Sequence, residues 1–315
     1  MSGTLLRLHA VGAALALATL SLSACGDDFD HVKLTMAAGS PAGVYHQLST
    51  ALAEAWTRDP GIARPQVAST AGSVDNLDRL RTNQAQVGFS AADAAENKQK
   101  GPEGHKLYAL ARMHDDYFQV VVRGDLRVTK LADLKGLRVS VGARDSGVKL
   151  IGERLLASAG ISPERDLKVQ YMDLETSTAA MRDGALDAFF WSGGVPTTAV
   201  TTLATTVRLS MLDLSDVLPK LRQDFPVYGS ATLPASAYRL EGGPVVTLVV
   251  RNFLLVNDTM SDDVAEALVR GLFQAQPALV AASPVARSIE VRSAIETTPI
   301  ELHPGAMRYY RDVKV

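Results

Sequence analysis

The feature that most constrains the fold of this sequence is a recurring unit of short apolar strand, small-residue loop and helix, and five such units are legible. The stretch from Arg138 to Gly160, RVSVGARDSGVKLIGERLLASAG, shows the unit most completely, because apolar residues recur at helical spacing after its turn. Repeated units of this kind predict parallel strands covered by helices on both faces. We therefore expect an α/β protein. The other strands are expected at Val32–Met36, Gln66–Ala68, Val87–Ser90 and Ala188–Trp191.

Two longer extended runs interrupt this pattern and indicate a division into two lobes. They lie at Tyr117–Arg123 and Val245–Val256, with a self-contained set of units between them. Two crossing strands on either side of an inserted set predict two lobes joined by a two-strand hinge, each with a mixed, mostly parallel sheet. Lobe 1 is predicted to comprise residues 32–122 and 246–315, and lobe 2 residues 123–245, with the second boundary between 228 and 245.

The N-terminal segment is typical of an exported lipoprotein. Arg7 precedes an apolar run, Val11–Leu20, which is too short to span a bilayer, and the following Leu-Ser-Ala-Cys resembles a bacterial lipobox. We expect residues 1–25 to be a lipoprotein signal peptide, Cys25 to carry the lipid and residues 26–31 to form a tether. The protein would then be extracytoplasmic and membrane-anchored. An ordinary signal peptide with an incidental cysteine is the alternative.

Composition argues against two classes of function. The net charge is −2 over 315 residues and aromatics make up 6%, so neither a basic surface nor a base-stacking platform for nucleic acid is indicated. The histidines do not form the close pairs typical of a zinc site, and we expect no metal or cofactor. His114–Asp116 is interpreted as a solvated turn beside the hinge, and His303 as a structural residue.

Loops of small residues follow several of the expected strands. In parallel α/β sheets such loops sit at helix N-termini, where unpaired N–H groups and the helix dipole favour an anion. If two lobes face each other, these loops line one cleft that fits a small carboxylate. Simple helix capping by the same residues is the alternative for each loop. The loops are Ala38–Ser40, Thr70–Ser73, Ser146–Gly147 and Ser192–Gly194.

Five segments resemble, in order along the chain, the TAXI family, which are the solute-binding subunits of TRAP transporters. The resemblance runs from Leu34 to Tyr310 and implies a type II periplasmic-binding-protein fold with two lobes. It also implies delivery of a small carboxylate, glutamate-like or related, to a TRAP-type membrane permease, by a monomer that is not an enzyme. The segments are AAGSPAGVYHQLSTALAE, VASTAGSVDNLDRLRTNQAQVGFSAADAA, LADLKGLRVSVGARDSGVK, MRDGALDAFFWSGGVPTTAV and ELHPGAMRYYRD.

Site residues follow from this resemblance position by position. For Trp191 and Tyr45, a role in the core remains the alternative to a role in the pocket wall. The implied pocket residues are Ser40, Tyr45, Ser73, Val74, Ser90, Ser146, Gly147, Val148, Trp191 and Ser192.

One turn departs from the family pattern Gly-x-Pro-Gly-Ser-Gly-Thr. Here the turn is GARDSGV, so that the family's threonine is replaced by Val148. Arg144 is a candidate to replace the lost hydroxyl by pairing with a carboxylate of the solute. The alternative is a surface ion pair between Arg144 and Asp145.

Other functions remain open from the sequence alone. A binding protein that serves an ABC importer or a membrane sensor fits the same residues. An enzyme on the same scaffold needs an acid–base pair in the cleft, and Asp93 and Asp145 have no evident partner apart from Lys149. Ser146 and Lys149 match the S-x-x-K pattern of acyl-enzymes, but the companion motifs are absent from the sequence.

Overall fold

The strands of the protein form one mixed sheet. The computed structural model describes residues 29–101, 103–238 and 243–314, so the expected signal peptide, Cys25 and residues 26–28 of the tether lie outside the described residues. The strands are β1 Thr35–Ala37, β2 Gln66–Ala68, β3 Val87–Ala91, β4 Leu107–Arg123, β5 Arg138–Ser140, β6 Lys168–Gln170, β7 Ala188–Gly193, β8 Leu209–Met211, β9 Gly229–Leu233 and β10 Val245–Asn257.

Helices follow most of these strands, as the repeated units predict. Short 3₁₀ segments lie at Leu131–Leu134, Ala235–Ala237 and Pro284–Ser288. The helices are α1 Val44–Arg58, α2 Ser73–Arg81, α3 Ala92–Gln99, α4 Gly147–Ser158, α5 Pro163–Asp166, α6 Leu174–Arg182, α7 Thr198–Leu203, α8 Leu218–Asp224, α9 Asp262–Gln274, α10 Gln276–Ala282, α11 Val291–Ala294 and α12 Pro304–Asp312.

Two groups of parallel strands occupy the two ends of the sheet. The strand order is β2-β1-β3-β10-β4-β7-β5-β6, with β8 paired to β4 and β9 to β10. We call β1, β2 and β3 the N-terminal strand set and β5, β6 and β7 the middle strand set. Within each set the pairing is parallel, whereas the long strands β4 and β10 pair antiparallel to each other and to the neighbouring sets. The two long strands therefore connect the sets, as the extended runs predict.

The core follows the same arrangement. One cluster packs α1, α9 and α12 against the N-terminal strand set, and it contains Trp56, whose indole N–H donates to the carbonyl of Leu268 at 3.1 Å. A second cluster extends across both sets and includes Phe118 and Phe190 at the centre of the sheet. The mixed α/β fold class expected from the sequence is confirmed. The division into lobes at residues 122–123 and 245–246 stays a prediction.

Two local predictions differ from the structure. The segment His114–Asp116 was expected in a turn, but β4 begins at Leu107, so these residues lie inside a strand and both His114 and Asp116 are buried. The sequence pattern indicates only Tyr117–Arg123 as a strand, because Arg112 and His114–Asp116 interrupt the apolar residues of the first half. The first strand was expected at Val32–Met36, but it begins at Thr35 and ends at Ala37.

Candidate functional site

A cleft lies between the ends of the two strand sets. The open space within it, which includes solvent at its mouth, is about 710 Å³. Its walls come from the loops before α1, α2, α4 and α6, from the end of β7, and from Asp116 on β4. The lining includes Ser40, Tyr45, Ser73, Ser146, Gly147, Val148, Trp191 and Ser192 among the residues implied by the resemblance.

Two helices open into this cleft without a side-chain cap. Gly43 is the N-cap residue of α1 and Gly72 that of α2, and neither helix end has a side-chain cap hydrogen bond. The first N–H groups of a helix have no partner within the helix. Among the described residues, no hydrogen bond to another group is found for the N–H of Val44 or that of Ser73. The N–H groups at the start of both helices therefore face the cleft unused, although the first turn of α2 also contains the Asp75 carboxylate.

The other two helix ends at the cleft are capped by their own side chains. The Ser146 hydroxyl accepts from the N–H of Lys149 at 3.1 Å and donates to the carbonyl of Ala143 at 2.7 Å. Asp173 caps α6 by accepting from the N–H of Thr176 at 2.8 Å. The hydroxyl of Ser146, implied as a solute contact, is thus fully used in local structure.

Ser73 joins the start of α2 to the end of β3. Its hydroxyl accepts from the N–H of Ala91 at 3.1 Å and lies 3.5 Å from the Tyr45 hydroxyl. A Cβ on Gly147 would lie only 2.9 Å from the Ser73 oxygen. Ser73 therefore lies where the two strand sets meet, and glycine at position 147 allows this close approach.

Ser40 and Ser192 differ from the other cleft serines. Both line the cleft, and their hydroxyl oxygens are buried with no hydrogen-bond partner among the described residues. A buried hydroxyl without a partner costs free energy. These two groups are consequently the hydroxyl donors most available to a bound solute.

Tyr45 forms the base of the cleft through a buried network. Its hydroxyl donates to Oδ1 of Asn252 on β10, and its ring stacks on Phe89 with the centroids 5.2 Å apart. Burial, and then the nearby Asp116 carboxylate, raise the pKa of the Tyr45 phenol well above its ordinary value of 10.0. Tyr45 therefore stays protonated, and its proton is already engaged by Asn252.

Trp191 and Val148 form the apolar walls. The Trp191 indole N–H donates to the Thr197 hydroxyl at 3.1 Å, and its ring lies so close to Gly193 that a Cβ there would be 2.5 Å from Nε1. Val148 is buried against Gly142, which has a φ of +97°. Trp191 both lines the cleft and contacts the core, so the structure combines the two roles considered for it.

Two of the implied residues, and the candidate Arg144, lie outside the lining. Ser90 is fully buried in β3, and its hydroxyl donates to the Ala91 carbonyl at 3.0 Å. The Val74 side chain packs on the core. The Arg144 guanidinium lies over the Tyr171 ring at 4.2 Å, and in the described chain it makes no ion pair with Asp145. Attraction to the ring face holds the guanidinium outside the cleft lining.

The sequence interpretation missed Asp116, which lines the cleft. Oδ1 of Asp116 lies 3.2 Å from Nε2 of His114 without an aligned hydrogen bond, and both side chains are buried. On a strand, alternate residues face opposite sides. If the strand is taken to begin at Leu107, this alternation places His114 and Asp116 on the same face, and that was the signal in the sequence that could have identified Asp116.

The two walls of the cleft touch each other. The N–H of Asp75 donates to the carbonyl of Asp145 at 3.1 Å, and a Cβ on Gly72 would lie 3.5 Å from the Cα of Ser146. These contacts join loops that follow β2 and β5, in different strand sets. The structure thus shows the cleft with its walls closed upon each other at this point.

The cleft has a distinct charge pattern. Of the described residues that line it, the charged ones are Asp116 and Asp173, and none is lysine or arginine.

Within residues 29–101, 103–238 and 243–314, no group of three or more His, Cys, Asp or Glu side chains is arranged to hold a metal ion. In the same residues, no helix has both the length and the apolar character needed to cross a bilayer.

Comparison with known proteins places this geometry in a family. The sequence profile of the NMT1-like family matches residues 36–313. The chain belongs to the NMT1-like family. This match covers every element from β1 to α12 and therefore all the cleft residues described above. The narrower resemblance to TAXI subunits is not distinguished by this family match and stays a prediction.

Solved structures similar to this NMT1-like chain support the fold. A protein of Bordetella bronchiseptica RB50 has 19% identity and a TM-score of 0.55, with 89% of this chain and 88% of that chain covered. The ligand-binding component of an ABC-type import system from Staphylococcus aureus, with zinc bound, has 12% identity and a TM-score of 0.52 over 88% and 98% of the chains. A putative L-cystine ABC transporter protein from Listeria monocytogenes has 11% identity and a TM-score of 0.52 over 81% and 95%. The NMT1-like chain has the type II periplasmic-binding-protein fold, as expected.

Proposed function

We propose that the protein is an extracytoplasmic solute-binding protein that captures a small carboxylate in the cleft and delivers it to a membrane permease. The observation that carries this proposal is that α1 and α2 both begin with an uncapped glycine at the same cleft. A carboxylate there accepts from first-turn N–H groups and interacts favourably with two helix dipoles. The unpartnered hydroxyls of Ser40 and Ser192 supply further donors.

The proposed role involves no chemistry on the solute. The hydroxyl of Ser146, the serine of the S-x-x-K pattern, donates its hydrogen bond to the Ala143 carbonyl. Lys149 pairs with Glu153 at 2.7 Å and does not line the cleft. A nucleophile needs a base within hydrogen-bond reach, and neither residue is arranged in that way.

A thermal-shift screen of the mature domain against amino acids, dicarboxylates and sugar acids tests the proposal. A true solute at one hundred times its dissociation constant is expected to add about 2.7 kcal/mol to the free energy of unfolding. If no carboxylate stabilises the protein, the proposal is wrong.

The variant Gly43→Asp locates the binding site. A carboxylate at this N-cap position supplies the missing cap of α1 and competes with the solute for the same N–H groups. We expect a higher melting temperature without solute and a loss of the solute-induced shift. Gly43→Ala is the matched control, since it adds the same Cβ without a carboxylate, and it should keep most of the shift.

We propose that the permease is of the TRAP type, on the basis of the motif resemblance. The alternative is an ABC importer, which is favoured by the similarity to the ABC-type proteins from Staphylococcus aureus and Listeria monocytogenes. Uptake into vesicles that contain either a TRAP-type permease or an ABC importer of the same organism decides between them. An ion gradient should drive uptake in the first case, and ATP in the second.

Membrane attachment through Cys25 is also part of the proposal. Mass spectrometry of the N-terminal peptide is expected to show a lipid-modified Cys25 as the first residue. Cys25→Ser should release the protein from the membrane fraction. An unmodified cysteine in a protein cleaved elsewhere would support the ordinary signal peptide instead.

A further inference from the structure

Asp116 is a buried carboxylate at the cleft, and the ionisable group that contacts it is His114. The residue is 5% exposed and lies on β4, opposite Val250 of β10. Its Oδ1 lies against Nε2 of His114, while Oδ2 receives no hydrogen bond from a described residue. No lysine or arginine of the described chain forms an ion pair with it. Oδ1 is buried without an aligned hydrogen bond. Buried polar groups in proteins are normally hydrogen-bonded, so the Asp116 carboxylate is able to accept an N–H group of a bound solute.

The surroundings of Asp116 favour such a contact. The contact of His114 is with Oδ1, and the His114 ring is itself buried and is not among the residues that line the cleft. Tyr45 gives its hydroxyl proton to Asn252 and cannot donate to Asp116 at the same time. The second charged lining residue, Asp173, is also acidic. A solute with only negative charge would therefore face repulsion at this part of the cleft.

We propose that Asp116 binds a protonated nitrogen of the solute, so that the solute is a zwitterion with an ammonium or similar N–H group in addition to its carboxylate. This inference rests on the proposed function and specifies the solute class. The carboxylate lies at the uncapped ends of α1 and α2, and the cationic group faces Oδ2 of Asp116. Such an arrangement pairs both charges inside a site that contains no basic side chain.

Matched pairs of compounds test this proposal. Each pair shares a carboxylate and a carbon skeleton and differs in the ammonium group: L-alanine and propionate, L-leucine and 4-methylpentanoate, 4-aminobutyrate and butyrate, L-glutamate and glutarate. Dissociation constants are measured by titration calorimetry with the mature wild-type protein. In each pair that binds, we expect the ammonium compound to bind at least about tenfold more tightly, which is about 1.4 kcal/mol.

The variant Asp116→Asn assigns the preference to this residue. It keeps the side-chain shape and removes the charge, so the ratio of the two dissociation constants should fall at least about fivefold. Asp145→Asn is the matched control, because Asp145 is exposed near the cleft and does not line it. That control should leave the ratio unchanged. If Asp116→Asn does not fold, the wild-type ratios decide the question alone.

The possible outcomes separate this inference from the proposed function. If the compounds without nitrogen bind the wild-type protein as tightly as their partners, the role of Asp116 is wrong while the carboxylate site stands. An unchanged ratio in Asp116→Asn has the same meaning. If no compound of any pair binds, the proposed function fails and this inference fails with it.

Discussion

The serines of the cleft fall into two classes that substitution should separate. Ser146 caps α4, whereas the buried hydroxyl of Ser192 has no partner. We expect Ser146→Ala to lower the free energy of unfolding by about 0.5–2 kcal/mol through loss of the cap. Ser192→Ala should leave stability nearly unchanged and weaken solute binding by about 1.5–3 kcal/mol. Urea unfolding and calorimetry measure the two effects, and equal stability losses would contradict the assignment.

Tyr45 is expected to act on stability more than on binding. Tyr45→Phe removes the hydroxyl that donates to Asn252 and leaves that buried oxygen without its donor. We expect a loss of about 1–3 kcal/mol in the free energy of unfolding, measured by urea denaturation. Tyr117→Phe is the matched control, because the Tyr117 hydroxyl makes no hydrogen bond to a described residue, and it should change stability by less than about 0.5 kcal/mol.

For single residues, the sequence predicts most of those that line the cleft, but it does not predict which of their side chains are free to contact a solute. The small-residue loops identify most of the lining, because in parallel α/β sheets the loops before helix N-termini lie at the ligand-binding edge. Whether a hydroxyl is free depends on neighbours distant in sequence, such as Ala91 for Ser73. Arg144 and Asp116 show the same limit, because a nearby ring and an unrecognised strand decide their positions.

Among the elements, α12 is expected to make stability depend on pH. His303 caps this helix by accepting from the N–H of Gly305 at 3.2 Å, and its other nitrogen lies 3.1 Å from the Met260 carbonyl. Burial lowers the pKa of His303 from its ordinary value of 6.5. The folded protein therefore binds fewer protons than the unfolded chain, and stability should fall as the pH drops below 6.5.

The variant His303→Asn tests this expectation. Asparagine retains a capping oxygen but does not titrate. The free energy of unfolding, measured between about pH 7.5 and 5.5, should depend less on pH in the variant, by up to about 1.4 kcal/mol per pH unit. Identical slopes in both proteins would show that His303 does not contribute.

The stability of a buried cluster between α3 and α4 is expected to depend on the positive charge of Arg154. Asp93 on α3 accepts from the Tyr228 hydroxyl at 2.7 Å and lies 3.3 Å from the Arg154 guanidinium on α4. Arg154→Met leaves the buried carboxylate uncompensated, and we expect a loss of about 3–5 kcal/mol in urea denaturation at pH 7. Arg64→Met is the matched control, since the pair of Arg64 with Glu54 is more than half exposed, and its effect should be small.

The pH dependence of this variant supplies a second check. Burial raises the pKa of Asp93, despite its hydrogen bond from Tyr228 and the charge of Arg154. The raised pKa means that protonation at low pH favours the folded state, so the loss caused by Arg154→Met should shrink as the pH falls toward 5. A loss that grows on acidification would contradict this account.

For the elements, the sequence predicts the parallel ends of the sheet well. Strand β2 agrees with its prediction residue for residue, and β3 and β10 each extend one residue further. Apolar strands between turn residues have a clear period, which explains the agreement. Strand β4 was only half recognised, because Arg112 and His114–Asp116 interrupt the apolar pattern of its first half, although Leu107, Leu110 and Met113 are buried there.

For the molecule as a whole, the central claim is that one solute binds where the two strand sets meet. The contacts of Asp75 with Asp145 and of Gly147 with Ser73 already join the walls. A solute that bridges the same walls should stabilise this closed arrangement, because it binds both sets only when they are together. The proposed lobe boundaries fall in or next to β4 and β10, because these two strands connect the sets.

A crystal structure of the mature protein with the tightest-binding compound of the matched pairs tests this claim most directly. We expect the compound in the cleft, with its carboxylate about 2.7–3.2 Å from first-turn N–H groups of α1 or α2 and its nitrogen at a similar distance from Asp116. A compound bound on another surface, or in the cleft with its carboxylate away from both helix ends, would contradict the account.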